Sequence, residues 1–318
     1  MEVLFASNSV ADWGNNPATS SDVSKFDNTR VPYAILTTDN VTTSMKDFHA
    51  VPSGDTVWYH YRYKLGSNLG NSEDGWIANI LDGAGALLAR LDLLDGTVAA
   101  VAYGDSTVTG TFASGWSSAT ILEIDVSVQV NGSTVEVKLY MGQALVSTAT
   151  AANTGGRTVA RRFDFSLWDA ASSDHAFSEF LVAADDTRNA RMTRLDPATA
   201  GNYSVWSGAL ASLSDDDDAT SMSSGTAAER NSANMDAYSG GDTIAAVVAV
   251  SRAASGAGAP SNLKQFLRIG GVDYDGSNAP LSASLATVVE CWELDPSDTL
   301  AWDGAGVNAA ELGLLSVT

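Results

Sequence analysis

The sequence predicts an all-β protein built as two antiparallel β-sandwich domains in tandem. Three observations carry that expectation. Apolar and polar residues alternate with period two along much of the chain, most cleanly over 121–130. The dipeptides Asp95-Gly96 and Asn131-Gly132 fall between such runs, where hairpins turn. A helical period is nearly absent. With 318 residues the chain can bury two cores of ordinary size. The predicted domains are residues 1–184 and 185–318. Between them the polar run AADDTRN reads as a surface connection.

Residues 2–6 are a short apolar opening strand. Residues 7–28 are rich in Asn, Ser, Asp and Thr and read as loop, with Trp13 in its middle. Over 56–65, Val57, Tyr59, Tyr61 and Tyr63 alternate with Trp58, His60, Arg62 and Lys64. One face of that strand is therefore aromatic and the other polar, and His60 reads as a surface residue. Strands follow over 76–81, 86–93 and 97–103, the last two joined through Asp95-Gly96. In 121–130, Leu122, Ile124, Val126, Val128 and Val130 point one way, and Glu123, Asp125, Ser127 and Gln129 the other. Asn131-Gly132 predicts a type I′ turn into the strand 135–141. Strands near 145–150, 159–168 and 175–182 close the first domain.

The second domain opens with strands at 190–195 and 203–210. A long polar stretch over 211–242 follows, with the acidic run Asp215, Asp216, Asp217 and Asp218. The run 243–250 is continuously apolar and reads as a strand buried on both faces. Strands at 263–269 and 285–294, a short helix within 302–313 and a return strand at 314–317 complete the chain. No repeat of 20 to 50 residues is present, which argues against a solenoid or a propeller.

The net charge is −21. Acid exceeds base by 10 over residues 1–183 and by 11 over 184–318, so the acidity is not a tail. Such a surface repels phosphate backbones, and nucleic acid is not an expected partner. The longest apolar runs, such as IAAVVAV, are too short to insert in a membrane. The first residues lack a basic segment followed by a long apolar core, so no signal peptide is expected. The lone Cys291 allows no intrachain disulfide, reads as a buried strand residue and fits folding in a reducing cytoplasm.

Candidate chemistry is sparse. Asp215 to Asp218 are the first place to look for a metal, because clustered carboxylates suit Ca²⁺. They lack the spaced ligands of a calcium loop, and a solvated acidic loop is the plainer reading. Asp82, Asp92 and Asp95 lie beside turns and read as turn formers. Saccharides stack on aromatic faces, and Trp13, Trp116 and Trp206 lie near Gly/Ser/Asn-rich segments, which makes them the candidate glycan or partner contacts. Core packing competes with that reading for each of them. His49, His60 and His175 are scattered without zinc-motif spacing. No Ser sits in a G-x-S-x-G context, and no carboxylate pair is singled out for glycoside cleavage. No catalytic residue is assigned, no cofactor is required, and the expectation is that the chain is not an enzyme.

The first domain resembles the concanavalin A/laminin-G-like jelly roll through TVWYHYRYKL, GWIANILDGAGALLARLDLLDGTV, TILEIDVSVQVNGSTVEVKLYMGQALV and SEFLVAADDTRNARM. The second resembles a module of tailed-bacteriophage structural proteins through LDPATAGNYSVWSG, DDDDATSMSSGTAAERNS, TIAAVVAVSRA, LRIGGVDYDGSNAPLSASLATV and DPSDTLAWDGAGVNAAELGL. The resemblance implies a virion component of tail or capsid exterior, assembled in the host cytoplasm and released by lysis. Its implied partners are other virion proteins and further copies of itself, with a host-surface glycan as a second ligand class. An adhesin is the alternative reading and a glycan hydrolase a third.

Overall fold

The computed structural model describes residues 1–7, 9–15, 17–20, 26, 30–31, 34–37, 41–64, 74–94, 96–114, 120–166, 175–215, 217–258 and 260–318. The chain is all-β, with antiparallel pairing throughout the described strands. It divides into two compact units, Glu2–Arg194 and Leu195–Thr318, the latter taking in Met1.

In chain order the strands of the first unit are β1 (Val3–Ser7), β2 (Ala18–Ser20), β3 (Ala34–Thr37), β4 (Thr42–Ser44), β5 (Thr56–Lys64), β6 (Asp74–Asp82) and β7 (Leu87–Leu94). They continue with β8 (Thr97–Tyr103), β9 (Thr107–Thr109), β10 (Ile121–Val130), β11 (Thr134–Met141), β12 (Ala144–Ala152), β13 (Ala160–Ser166) and β14 (His175–Ala183). One sheet runs β12-β11-β10-β5-β14-β3-β2, with β1 added on β14; the other runs β4-β13-β6-β7-β8-β9. The two sheets enclose an aromatic core. Tyr59, Tyr61 and Tyr63 of β5 meet Phe163 and Phe165 of β13 and Phe180 of β14. At one end the sheets approach closely through glycine: a Cβ on Gly104 would lie 2.0 Å from the Ala152 carbonyl oxygen.

Several sequence expectations are corrected here. Residues 10–20 hold a short 3-10 turn and β2 rather than loop alone. The 131–134 connection is not type I′, since neither Asn131 nor Gly132 has positive φ. Instead the Asn131 side-chain oxygen accepts from the Ser133 and Thr134 amides, at 2.8 and 2.9 Å, and this Asx turn sets the hairpin. Asp82 does form a turn: its Oδ1 accepts from the Ala84 and Ala86 amides. Asp95 lies outside the described residues. Asp92 pairs with Arg90.

The second unit holds β15 (Pro197–Ser204), β16 (Arg230–Met235), β17 (Val247–Ala253), β18 (Asn262–Ile269), β19 (Val272–Asp275), β20 (Ala279–Pro280), β21 (Ala286–Trp292), α1 (Gly304–Ala309) and β22 (Glu311–Val317). Its main sheet runs β15-β16-β22-β18-β19, with β20 on β18; β17 and β21 form a two-stranded sheet. The expected strand at 190–195 is absent, and the first strand of this unit is β15. A strand that sequence periodicity missed, β16, sits inside the sheet within the polar stretch. It carries Asn231, Ser232 and Ala233 as its buried residues, so no apolar alternation marks it. The apolar run 243–250 is not a doubly buried strand: only part of it enters β17, which has a single partner and is mostly half-buried. Cys291 on β21 is likewise half-buried, not buried.

Candidate functional site

The outer face of β5, β10, β11 and β14 is where the first unit concentrates polar chemistry. Alternation puts Trp58, His60 and Arg62 on that face of β5, opposite the tyrosines. Antiparallel register then sets His60 beside Asp125 of β10. His60 is not a surface residue: it is 1% exposed, and Asp125 is 2% exposed. The His60 Nδ1 lies 2.9 Å from Asp125 Oδ1. A carboxylate oxygen accepts, so Nδ1 carries the proton and Nε2 presents its lone pair when the imidazole is neutral. Among the described residues Nε2 has no hydrogen-bond partner, and neither has the Nε of Arg62.

A β-bulge in β14 supplies the next group. Glu179 and Phe180 together oppose Tyr61, because the register shifts between Ser178 and Leu181. The extra residue sends Phe180 into the core and Glu179 to the outer face, with Glu179 at φ 54°. There the buried Glu179 accepts from Arg62 Nη1 at 3.2 Å. The Arg62 guanidinium also lies 5.8 Å from the Phe26 ring centroid.

Residues 184–194 cross this face. Thr187, fully buried, donates to Asp125 Oδ1 at 2.7 Å, and the Met192 amide donates to Glu179 Oε2 at 3.3 Å. Between those anchors Arg188 lies over Tyr140 and Trp58, 4.7 and 5.7 Å from their ring centroids. The two rings are stacked 5.4 Å apart. Arg191 pairs with Glu123. The polar run read as a surface connection is thus a strap folded onto its own sheet. Chemically, the face offers a carboxylate-held imidazole, a guanidinium–carboxylate pair and an aromatic shelf, all beneath the strap.

The sequence-predicted residues do not gather there. Trp13 is 1% exposed and packs on Phe165, Phe177 and Phe180 at 5.3, 4.9 and 5.0 Å, so its ring presents no face to a ligand. That candidate contact is corrected to a core residue. Trp116 lies outside the described residues. Trp206 is half-buried and donates to the Glu229 carbonyl at 3.3 Å. In the acidic run, Asp215 accepts from the Asp217 amide and the Thr220 hydroxyl, Asp217 from the Ala219 amide, and Asp218 pairs with Arg252. Asp216 lies outside the described residues. The three described carboxylates are spent on turn amides, a hydroxyl and a guanidinium. Among the described residues no group of three or more His, Cys, Asp or Glu is placed to hold a metal.

His49 is structural. Its Nδ1 donates to the Ala50 carbonyl at 2.8 Å, leaving Nε2 to accept from the Tyr59 hydroxyl at 2.9 Å. Burial lowers its pKa from 6.5 to about 4; the Ala50 hydrogen bond opposes that and the Arg161 charge adds to it. A depressed folded value means that the unfolded state takes the proton first. The His49 contribution is therefore full above pH 6.5 and is lost as pH falls toward 4. At ~1.4 kcal/mol per unit the full loss is on the order of 3 kcal/mol. Urea unfolding at pH 7, 5.5 and 4 should show this slope, and His49→Gln should flatten it. An unchanged slope in the variant would assign the acid sensitivity elsewhere.

No protein-family model matches the chain, and no curated protein matches it. Solved structures resemble its fold at low identity. A botulinum neurotoxin type G receptor-binding domain matches at TM-score 0.36 and 8% identity, over 54% of this chain and 44% of that one. The chain thus spans less than half of the toxin domain. An alginate lyase from Chlorella virus matches at TM-score 0.40 and 10% identity, over 53% of this chain and 89% of that one. An alginate lyase of polysaccharide lyase family 7 matches at TM-score 0.34 and 10% identity, over 50% and 80%. The expectation that the chain is not an enzyme does not stand as made, since alginate lyases recur among the matched structures, although likenesses this distant speak only to the fold. It rested on the absence of a catalytic motif along the sequence; the His60–Asp125 pair joins residues 65 apart, which no sequence spacing displays. The chain is an all-β protein of several antiparallel sheets, two of which enclose the aromatic core of its first unit.

Proposed function

We propose that this chain is an assembly component of a tailed-bacteriophage virion, in which the second unit seats against neighbouring copies. The supporting observation is the balance of burial in residues 195–318. The apolar residues buried there are Ala233, Ala249, Leu263, Phe266, Leu267, Ile269, Trp292, Trp302 and Leu315. Against these nine, Val205, Val250, Val272, Leu285, Leu294 and Leu300 are exposed, Leu300 at 63% and Val205 at 60%. A unit with so small a core gains stability when a partner covers exposed apolar surface. Its sheet edges, β15 and β19, add unpaired backbone for contacts. Sedimentation velocity of the full chain over a wide concentration range should show a defined oligomer. Val205→Ser with Leu300→Ser should weaken it roughly tenfold or more while circular dichroism still shows a folded chain. A monomer at every concentration would end this reading.

The His60–Asp125 pair favours a second reading, in which the first unit acts on a polysaccharide. Incubation with alginate, followed through the ultraviolet absorbance of unsaturated uronate ends, tests it. No rise over the His60→Ala chain would remove it.

A further inference from the structure

We propose that the outer face of the first unit is a binding site for one internal water, held between β5 and residues 184–194, which accepts from the Arg62 Nε–H and donates to His60 Nε2. The site lies wholly within the first unit and depends on neither functional reading.

Two atoms carry the inference. Buried polar atoms are normally paired. Yet His60 Nε2 and Arg62 Nε, both shielded from solvent, have no hydrogen-bond partner among the described residues. They belong to the same face of β5, two positions and about 6.7 Å apart along the strand. The companion atoms of both side chains are committed. His60 Nδ1 is turned to Asp125 on β10 at 2.9 Å, which leaves Nε2 facing away from that strand. Arg62 Nη1 is turned to Glu179 on the β14 bulge at 3.2 Å. The two free atoms are left to the space between those pairs. One is an acceptor and the other a donor, but they do not bond to each other.

The chemistry of that space selects its occupant. The neutral imidazole needs a donor at Nε2, and the guanidinium needs an acceptor at Nε. A molecule that serves both must donate and accept. A simple anion cannot donate, and the Asp125 and Glu179 carboxylates would repel it. A metal cation would face the Arg62 hydrogen, and among the described residues no group of three or more His, Cys, Asp or Glu is placed to hold one. Above the face, Thr187 is anchored to Asp125 and the Met192 amide to Glu179, so a larger hydroxyl compound would have to displace the strap. That leaves water, the smallest molecule that does both. Its second hydrogen is free for a Glu179 oxygen, each of which keeps a lone pair beyond the bond it accepts, and this gives the water about three partners. The protein alone forms two separate hydrogen-bonded groups here: Thr187, Asp125 and His60 in one, and Arg62, Glu179 and Met192 in the other. The water joins them, so that both anchors of the strap belong to one network.

The test uses the full chain, labelled with nitrogen-15, at about pH 8, where an ordinary imidazole is neutral. Long-range proton–nitrogen spectra should show His60 protonated at Nδ1. Its ring protons should cross-relax with a signal at the water frequency, with the sign of a water held on the protein. Arg62→Lys keeps a cation for Glu179 and removes the Nε donor, so that signal should be lost while circular dichroism shows a folded chain. A crystal structure at about 2 Å or better should place one water about 2.7–3.2 Å from both Arg62 Nε and His60 Nε2. A His60 ring without a water contact would overturn the inference, as would a signal unchanged in folded Arg62→Lys. So would a direct bond between the two nitrogens, or the density of an ion in place of water. If Arg62→Lys does not fold, the ring-proton signal and the crystal structure of the unsubstituted chain decide between the same outcomes.

Discussion

Trp13→Ala should lower the stability of the first unit by about 3–5 kcal/mol, the range for deleting a large aromatic from a packed core. The indole is 1% exposed and bounded by three phenylalanines from both sheets: Phe165 on β13, and Phe177 and Phe180 on β14. Truncation opens a cavity where the sheets meet, and the rings around it cannot collapse freely. Phe165 and Phe177 are stacked at 3.9 Å, and Phe163 and Phe180 are held at 5.1 Å. Trp13→Phe keeps most of the volume and should cost less than half as much. Calorimetry should show the loss in the transition of the first unit alone. A change under about 1 kcal/mol would mean that Trp13 is not the keystone its contacts suggest.

Gly313→Ala should have the largest effect in the second unit, with a loss of about 3 kcal/mol. Gly313 lies on β22 between Ser232 of β16 and Phe266 of β18. A Cβ there would stand 2.1 Å from Phe266 Cζ and 2.3 Å from Cε1. The ring has little room to withdraw. Phe266 is fully buried, the Arg230 guanidinium lies 4.6 Å from its centroid, and Tyr203 meets it edge-on at 6.1 Å. Because the core of this unit is small, that overpacking should bring its transition close to ambient temperature while the first unit stays folded. Phe266→Leu in the same chain should recover part of the loss, as coupled neighbours do. Two unchanged transitions in Gly313→Ala would refute the clash.

Strand legibility followed the strength of the two-residue period. Where one face is fully buried, as in β5 and β10, alternation located the strand almost to the residue, because a one-residue slip would turn its apolar side chains outward. Where the buried residues are polar, as in β16, that signal is lost although the strand lies inside its sheet. Four consecutive carboxylates at 215–218 and a tryptophan in a polar loop were conspicuous in the sequence. Clustering along the chain does not say which way side chains point, and Trp13 points inward.

The sequence by itself determined the all-β class, most strands of the first unit and the aromatic face of β5, because these follow from local period and turn chemistry. Only the tertiary structure decided that His60 meets Asp125, 65 residues away, that a bulge turns Glu179 outward and that residues 184–194 return over their own sheet. Register between distant strands, and the path of a connection, are fixed by packing across the whole unit, and no local pattern encodes them.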